Sequence, residues 1–273
     1  SELSQDATLA YLLSWARPEH RDRNLALNRL GESLLRALVG ASAAAQGIDD
    51  PLRGRPIEKV SVVTQESHVD ISVRVNDAVW LIIEDKTSTC EHSDQINRYV
   101  QVAHRDPRPD GRPWQVMPIY VKTGNECRPP RGLPYGLFLR EDLLTVLEEV
   151  AETDNTIVRE FRDHLLRWQE STESFRHAPC AQWTQEWTAK EGYYMALEAW
   201  LDQQPGRRNG LNDPGWGYVA NQSGGFLGFW WHWRTFEPCA CPLYLQIQDA
   251  TRLQVRAGNA DSGSGGPARV DSA

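Results

Sequence analysis

From Val69 to Lys86 the chain alternates apolar and polar positions with a period of two, the pattern of strands buried on at least one face. Ile71, Val73 and Val75 share one side of a first strand, leaving Asp70, Ser72 and Arg74 on the other. In a second strand Val79, Leu81 and Ile83 share a side, with Trp80, Ile82, Glu84 and Lys86 opposite. The turn between them decides which residues meet. A two-residue loop at Asn76-Asp77 would pair Ile71 with Ile82 and put Asp70 and Glu84 on opposite faces of the sheet. A three-residue loop at Asn76-Asp77-Ala78 pairs Val75 with Val79, Val73 with Leu81 and Ile71 with Ile83, which makes the apolar face continuous. Burial fixes register, so the odd-length loop is expected. Asp70 then stands across from Glu84, with Cβ atoms about 5 Å apart.

Around this pair the pattern is mostly helical. Ala7 to Ala16 predicts a short amphipathic helix closed by Arg17-Pro18, and Asn24 to Ala45 a longer one with Leu27, Leu30, Leu34 and Leu38 on its stripe. Val60 to Gln65 predicts a strand. Ser93 and Asp94 offer an N-cap for a helix running to about His104, with Ile96, Val100 and Ala103 buried. Gln115 to Lys122 reads as a fourth strand, whose Pro118 suggests an edge or a bulge. Leu139 to Ala151 and Thr156 to Glu170 read as helices that complete an α/β layer.

Past Glu170 the composition changes. A helix from Gln182 to Gln203 is followed by short strands at Gly217 to Ala220, Phe226 to Trp233, Leu243 to Ile247 and Arg252 to Val255. Trp216, Trp230, Trp231 and Trp233 gather here; such aromatics form a core, a homodimer surface, or a surface that stacks bases. Gly258 to Ala273 has linker composition and predicts a flexible tail.

Composition narrows the classes. The chain has 273 residues, 40% hydrophobic and 24% charged, with a formal net charge of -8. That total argues against a protein coating nucleic acid non-specifically, although a positive groove would suffice for an enzyme acting on it. Between Arg105 and Arg131 the cations Arg105, Arg108, Arg112, Lys122, Arg128 and Arg131 outnumber acids, giving either a phosphate-contacting surface or a solvated loop. The five cysteines show no framework spacing, so reduced thiols and a cytoplasmic setting are expected. Cys239-Ala-Cys241 has no companion at zinc spacing. Neither a signal peptide nor an apolar run of the roughly 18 residues a membrane span requires is present, so no membrane partner is expected. Phosphate loops of the GxxxxGK type and GxSxG elbows are absent too, which removes P-loop motors and α/β-hydrolases.

Two carboxylates that close repel each other unless a cation lies between them. Asp70 and Glu84 offer hard oxygen ligands suited to Mg²⁺ or Mn²⁺. Lys86, two residues on along the same face, is placed to hold an attacking water or a phosphate against developing negative charge. Gln95, in the first turn of the following helix, could bond the phosphate or the water. Glu-x-Lys alone is common in charged strands, where its ordinary role is ion pairing.

As a set, these residues resemble the PD-(D/E)XK nuclease superfamily, and more narrowly its bacterial members with Glu-x-x-x-Asp-Ile (Glu66, Asp70, Ile71), Ile-Glu-x-Lys (Ile83, Glu84, Lys86) and Gln-x-x-x-Tyr (Gln95, Tyr99). Val69 stands where the name-giving proline would be. The resemblance implies an α/β fold with a restriction-endonuclease-like core, a mixed four-stranded sheet flanked by helices, over residues 1–175. A Trp-rich α+β extension would follow over 176–257, then the tail at 258–273. It further implies Mg²⁺-dependent hydrolysis of phosphodiester bonds, in DNA above all. Asp70 and Glu84 would hold the metal with the backbone carbonyl of Asp85, and Lys86 and Gln95 would serve the chemistry.

Glu66 supports the site if its strand runs unbroken to Asp70, and is peripheral if Ser67-His68 turns. Glu32 is either the acidic residue contributed by the first core helix or a solvated glutamate. The competing functional reading is a nuclease-like binding or sensor module with little or no hydrolysis.

Overall fold

The computed structural model describes residues 2–66, 68–87, 95–126, 134–148, 154–204, 214–222, 224–237 and 241–257. The Ser93-Asp94 cap, the tail from Gly258, and Arg128 and Arg131 lie outside these. The chain forms two compact units, one made of 1–124 and 129–167, the other of 125–128 and 168–273.

The first unit opens with two helices, α1 (Glu2–Ser14) and α2 (Leu25–Gln46). Asn24 caps α2, its side chain accepting from the Leu27 N–H, and Gly47 ends it in the left-handed conformation at φ 66°. Three antiparallel strands follow, β1 (Val60–Glu66), β2 (Val69–Val75) and β3 (Val79–Lys86). Helix α3 (Gln95–Arg105) returns the chain to β4 (Gln115–Lys122), which runs parallel to β3. The unit then adds β5 (Gly136–Leu139), α4 (Arg140–Glu148) and the greater part of α5 (Thr156–Glu173).

The mixed sheet has the order β1-β2-β3-β4-β5, five strands where four were expected. The additional strand lies just ahead of the helix that the sequence pattern begins at Leu139, overlapping it at that residue alone. A run this short carries no periodicity, and only its parallel pairing with Ile119 to Lys122 makes it a strand. A Cβ at Gly136 would fall 2.8 Å from the Ser42 backbone nitrogen, so the missing side chain lets β5 lie directly against α2. β4 is consequently internal, contrary to the edge position that Pro118 suggested. The proline is tolerated because pairing with β5 begins only at Ile119, beyond the position where a donor is missing.

One face of the sheet, with Ile71, Val73, Leu81, Ile83 and Ile119, packs under the leucines of α1, α2 and α4. The other face carries Trp80, Ile82 and Val116, and Tyr99 and Ala103 of α3 pack on it.

The second unit takes up the end of α5, then α6 (Cys180–Trp183), α7 (Trp187–Asp202) and an antiparallel sheet of β6 (Gly215–Val219), β7 (Phe226–Phe236), β8 (Cys241–Gln248) and β9 (Arg252–Ala257), in that order. The single helix expected from Gln182 to Gln203 is broken where Glu186 adopts extended backbone, φ -95° and ψ 121°, ahead of α7. Tyr194 and Leu201 of α7 pack on Trp216, Leu227 and Phe229. Tyr194 lies within reach of the Leu227 and Ile247 carbonyls at 3.2 Å, and its oxygen accepts from the Ala250 N–H at 2.8 Å. Burial in this apolar setting pushes its phenol well above the usual tyrosine range.

Cys180 is a free thiol, whereas Cys241 is disulfide-bonded. The expectation of reduced thiols therefore fails for Cys241, because spacing along the chain says nothing about which thiols folding brings together. Among the described residues no helix is long and apolar enough to cross a membrane.

Candidate active site

The β2–β3 register is the one that burial demands: Val75 pairs with Val79, Val73 with Leu81 and Ile71 with Ile83. Both Asn76 and Asp77 take positive φ in the turn, 51° and 47°, values that Asn and Asp tolerate better than most residues. The next position along brings Asp70 to Glu84. Asp70 Oδ2 accepts the backbone N–H of Asp85 at 3.0 Å, which ties the carboxylate to the end of β3.

Lys86 joins the two acids. Its Nζ lies 2.5 Å from Glu84 Oε1 and 3.5 Å from Asp70 Oδ2. The Glu84 side chain is fully buried at 0% exposure, while those of Lys86 and Asp70 keep 12% and 17%. A carboxylate removed from water to this extent needs a positive charge close by.

The neighbouring Asp85 points its side chain the other way, as strand parity requires. It is pinned by α1: Gln5 Nε2 donates to Asp85 Oδ1 at 2.5 Å, while Gln5 Oε1 accepts from Thr123 Oγ1 at 2.6 Å. Burial, and then the adjacent Asp6, hold the Asp85 carboxyl well above the usual carboxylate range. Only the backbone of Asp85 is thus available on the side of Glu84.

Helix α3 brings Gln95 and Tyr99 over that side. Gln95 Nε2 donates to Tyr99 Oη at 3.4 Å, as the i, i+4 spacing allows. The Tyr99 phenol is raised above its ordinary value, first by burial and then by the negative charge of Glu84, with Asp70 adding less. The tyrosine therefore senses both carboxylates.

Glu66 and Glu32 do not join the pair. A turn at His68, φ 71°, separates β1 from β2, and Glu66 instead meets Arg74 at 3.1 Å. Arg74 in turn lies over Trp80, 4.2 Å from the ring centroid. Glu32 bonds Arg21 at 3.0 Å on α2, whose leucines pack against the opposite face of the sheet.

Lys122 was read as part of a basic stretch, yet it is 1% exposed in β4. It pairs in register with Lys86, and Tyr120 pairs with Glu84, so both share the face of the site. Alternation within Gln115 to Lys122 could have grouped Tyr120 with Lys122. Their alignment with Glu84 and Lys86 needed the parallel register. Of the remaining basic stretch, Arg108 and Arg112 are both spent on Asp110, at 2.9 and 2.7 Å.

Among the described residues no group of three or more His, Cys, Asp and Glu side chains is arranged to hold a metal. The donors nevertheless fit a hard divalent cation. The Lys86 ammonium shows that one positive centre can reach both carboxylates, and Mg²⁺ commonly takes only one or two carboxylates and keeps several waters.

The chain matches no family model, no curated protein and no solved structure.

Proposed function

We propose that the protein is a metal-dependent nuclease, with a restriction-endonuclease-like core in its first unit and DNA as its substrate. The observation that carries this reading is the convergence of Asp70, Glu84 and Lys86 on one sheet face, two acids bridged by one ammonium. The Glu-x-x-x-Asp-Ile, Ile-Glu-x-Lys and Gln-x-x-x-Tyr residues supply the family likeness, and α3 bringing Gln95 and Tyr99 over the same face supports it.

Asp70 and Glu84 would hold Mg²⁺ or Mn²⁺ together with the Asp85 carbonyl. When bound, the cation supplies Lewis-acid stabilisation of negative charge on the phosphate. Lys86, released from its bridge, donates to the attacking water or to a phosphate oxygen. Tyr99 keeps its proton through the neutral range, since burial and Glu84 both oppose its ionisation, and so serves as a hydrogen-bond donor beside Gln95. Glu66 and Glu32, engaged by arginines, take no part.

The test is incubation of the purified chain with supercoiled plasmid and linear duplex DNA in Mg²⁺, Mn²⁺ or chelator, beside Asp70→Asn, Glu84→Gln and Lys86→Ala. Cation-dependent cleavage lost in all three variants supports the reading. Cleavage that persists in them, or a parent chain inert with either cation, overturns it.

A further inference from the structure

The antiparallel sheet of the second unit has two unlike faces. Residues Trp216, Leu227, Phe229 and Ile247 point to α7 and form the apolar core. The opposite face, by the register of the four strands, places Gly215, Trp230, Gln246 and Gln254 side by side in one cross-strand row. Gly228, Gln248 and Arg252 form the next row on one side. Tyr244 and Arg256 form the row on the other.

Three features of this face point to a ligand. The first is a platform. A Cβ at Gly215 would come within 2.6 Å of Trp230 Nε1, one at Gly217 within 3.8 Å of its Cη2 and one at Gly228 within 3.3 Å of its Cζ3. The indole therefore lies down along backbone that bears no side chains, and it remains half-buried. An aromatic ring laid flat on a sheet keeps its other face for a stacking partner.

A bulge enlarges this platform. The β7–β8 register shifts between Trp231 and Arg234, with His232 at φ 61°. Without it, alternation would send Trp233 toward α7. With it, Trp233 stacks on Tyr244, ring centroids 4.1 Å apart and planes at 25°.

The second feature is polar. Gln246, beside Trp230, is 4% exposed, and its amide nitrogen has no hydrogen-bond partner among the described residues. A buried amide costs stability unless it is bonded, which is the usual mark of a missing partner.

The third is charge. In a chain of net charge -8, the described strand residues of this face include two cations, the exposed Arg252 and Arg256, and no carboxylate.

We propose that this face binds single-stranded nucleic acid, with bases stacked on Trp230 and on the Trp233–Tyr244 pair, the Gln246 amide bonding a base edge, and Arg252 and Arg256 meeting phosphates. Stacked aromatics joined to a cationic border are the general means by which single strands are held. A neutral oligosaccharide would suit the rings and amides but leave the arginines without a role. The proposal stands on the second unit alone and does not require the nuclease reading.

The test is fluorescence anisotropy of a labelled oligo-dT or oligo-U of twelve nucleotides, and of a duplex of equal length, with the full chain in chelator. Single strands should bind more tightly than duplex. Trp230→Ala should weaken binding about tenfold, within the range for losing one base stack, and Trp230→Phe should restore most of it. Arg252→Gln combined with Arg256→Gln should lower the slope of log K against log salt by about 1.4, some 0.7 for each phosphate contact. Circular dichroism of each variant separates these effects from misfolding. No binding, equal binding of duplex, unchanged affinity in a folded Trp230→Ala, or binding of a soluble glucan in place of the oligonucleotide would each overturn the proposal. Binding here is measured in chelator, whereas cleavage requires the cation, so failure of this test and failure of the cleavage assay are read separately.

Discussion

Lys86 holds its ammonium 2.5 Å from Glu84 Oε1, two residues back along β3, and in doing so neutralises the most deeply buried carboxylate of the site. The same ammonium is 3.5 Å from Asp70 Oδ2, so it occupies the centre of charge that a divalent cation would take. A divalent cation displacing the ammonium from this position would distinguish a metal site from a structural ion-pair cluster.

Removing the lysine should therefore uncouple chemistry from metal binding. Lys86→Ala is expected to lose cleavage by about 10²–10⁴-fold, the scale of a lost proton-transfer or positioning group. It should keep or increase the thermal stabilisation given by Mg²⁺. Asp70→Ala and Glu84→Ala should lose both. At a cation concentration of ~100 Kd the stabilisation is about 2.7 kcal/mol, several degrees in Tm, read by differential scanning fluorimetry. A parent chain that Mg²⁺ does not stabilise would leave the ion-pair cluster as the better account.

Without metal, Lys86→Ala should also destabilise the fold, because it strands Glu84 at 0% side-chain exposure. Losing one partner of a buried pair costs about 3–5 kcal/mol, and Lys86→Ala with Glu84→Gln should recover much of it. Urea denaturation of the single and double variants measures the difference.

Glu66 and Glu32 provide the complementary test. Glu66→Gln and Glu32→Gln break ion pairs with Arg74 and Arg21 that are partly open to solvent. Each should change stability by less than about 1 kcal/mol and leave Mg²⁺ affinity unaltered. A tenfold loss of affinity in either variant would show that the glutamate reaches the metal after all.

The phenol of Tyr194 sets the alkaline behaviour of the second unit. Its folded-state value is raised by burial, so the folded protein holds this proton more tightly than the unfolded chain. The resulting stability is complete below about pH 10, where the unfolded phenol titrates, and is lost as pH climbs toward the folded value. Tyr194→Phe should flatten that decline. It should also cost about 1–3 kcal/mol at neutral pH, because the Ala250 N–H loses its acceptor. Melting curves from pH 8 to 11 on parent and variant test both effects.

Packing at β5 gives a prediction independent of function. Gly136→Ala would drive a methyl to within 2.8–2.9 Å of backbone atoms of Ala41 and Ser42. Backbone yields poorly, so destabilisation of about 1–3 kcal/mol is expected. An unchanged midpoint in chemical denaturation would mean that β5 can move away from α2.

The sequence by itself determined the hairpin and with it the heart of the site. Period-two patterning of Ile71, Val73, Val75 and Val79, Leu81, Ile83 admitted one register that buries both sets, and that register carried Asp70 to Glu84 and Lys86. The strand Gln115 to Lys122 and the helix carrying Gln95 and Tyr99 were legible for the same reason, since local periodicity records which face is buried.

Tertiary structure alone decided what depends on elements distant along the chain. The four residues of β5 are too few for a period, and they became a strand only beside β4. Lys122 entered the face of Glu84 through a parallel register that no turn dictates. Glu66 left the site because β1 and β2 are divided by a turn, and Glu32 because α2 turns its leucines toward the other face. Trp216 went to the core opposite Phe229, whereas Trp233 went to the other face because a bulge in β7 reversed the alternation. Local pattern fixes which side of its own element a residue takes; which elements then meet is settled by packing across the whole chain.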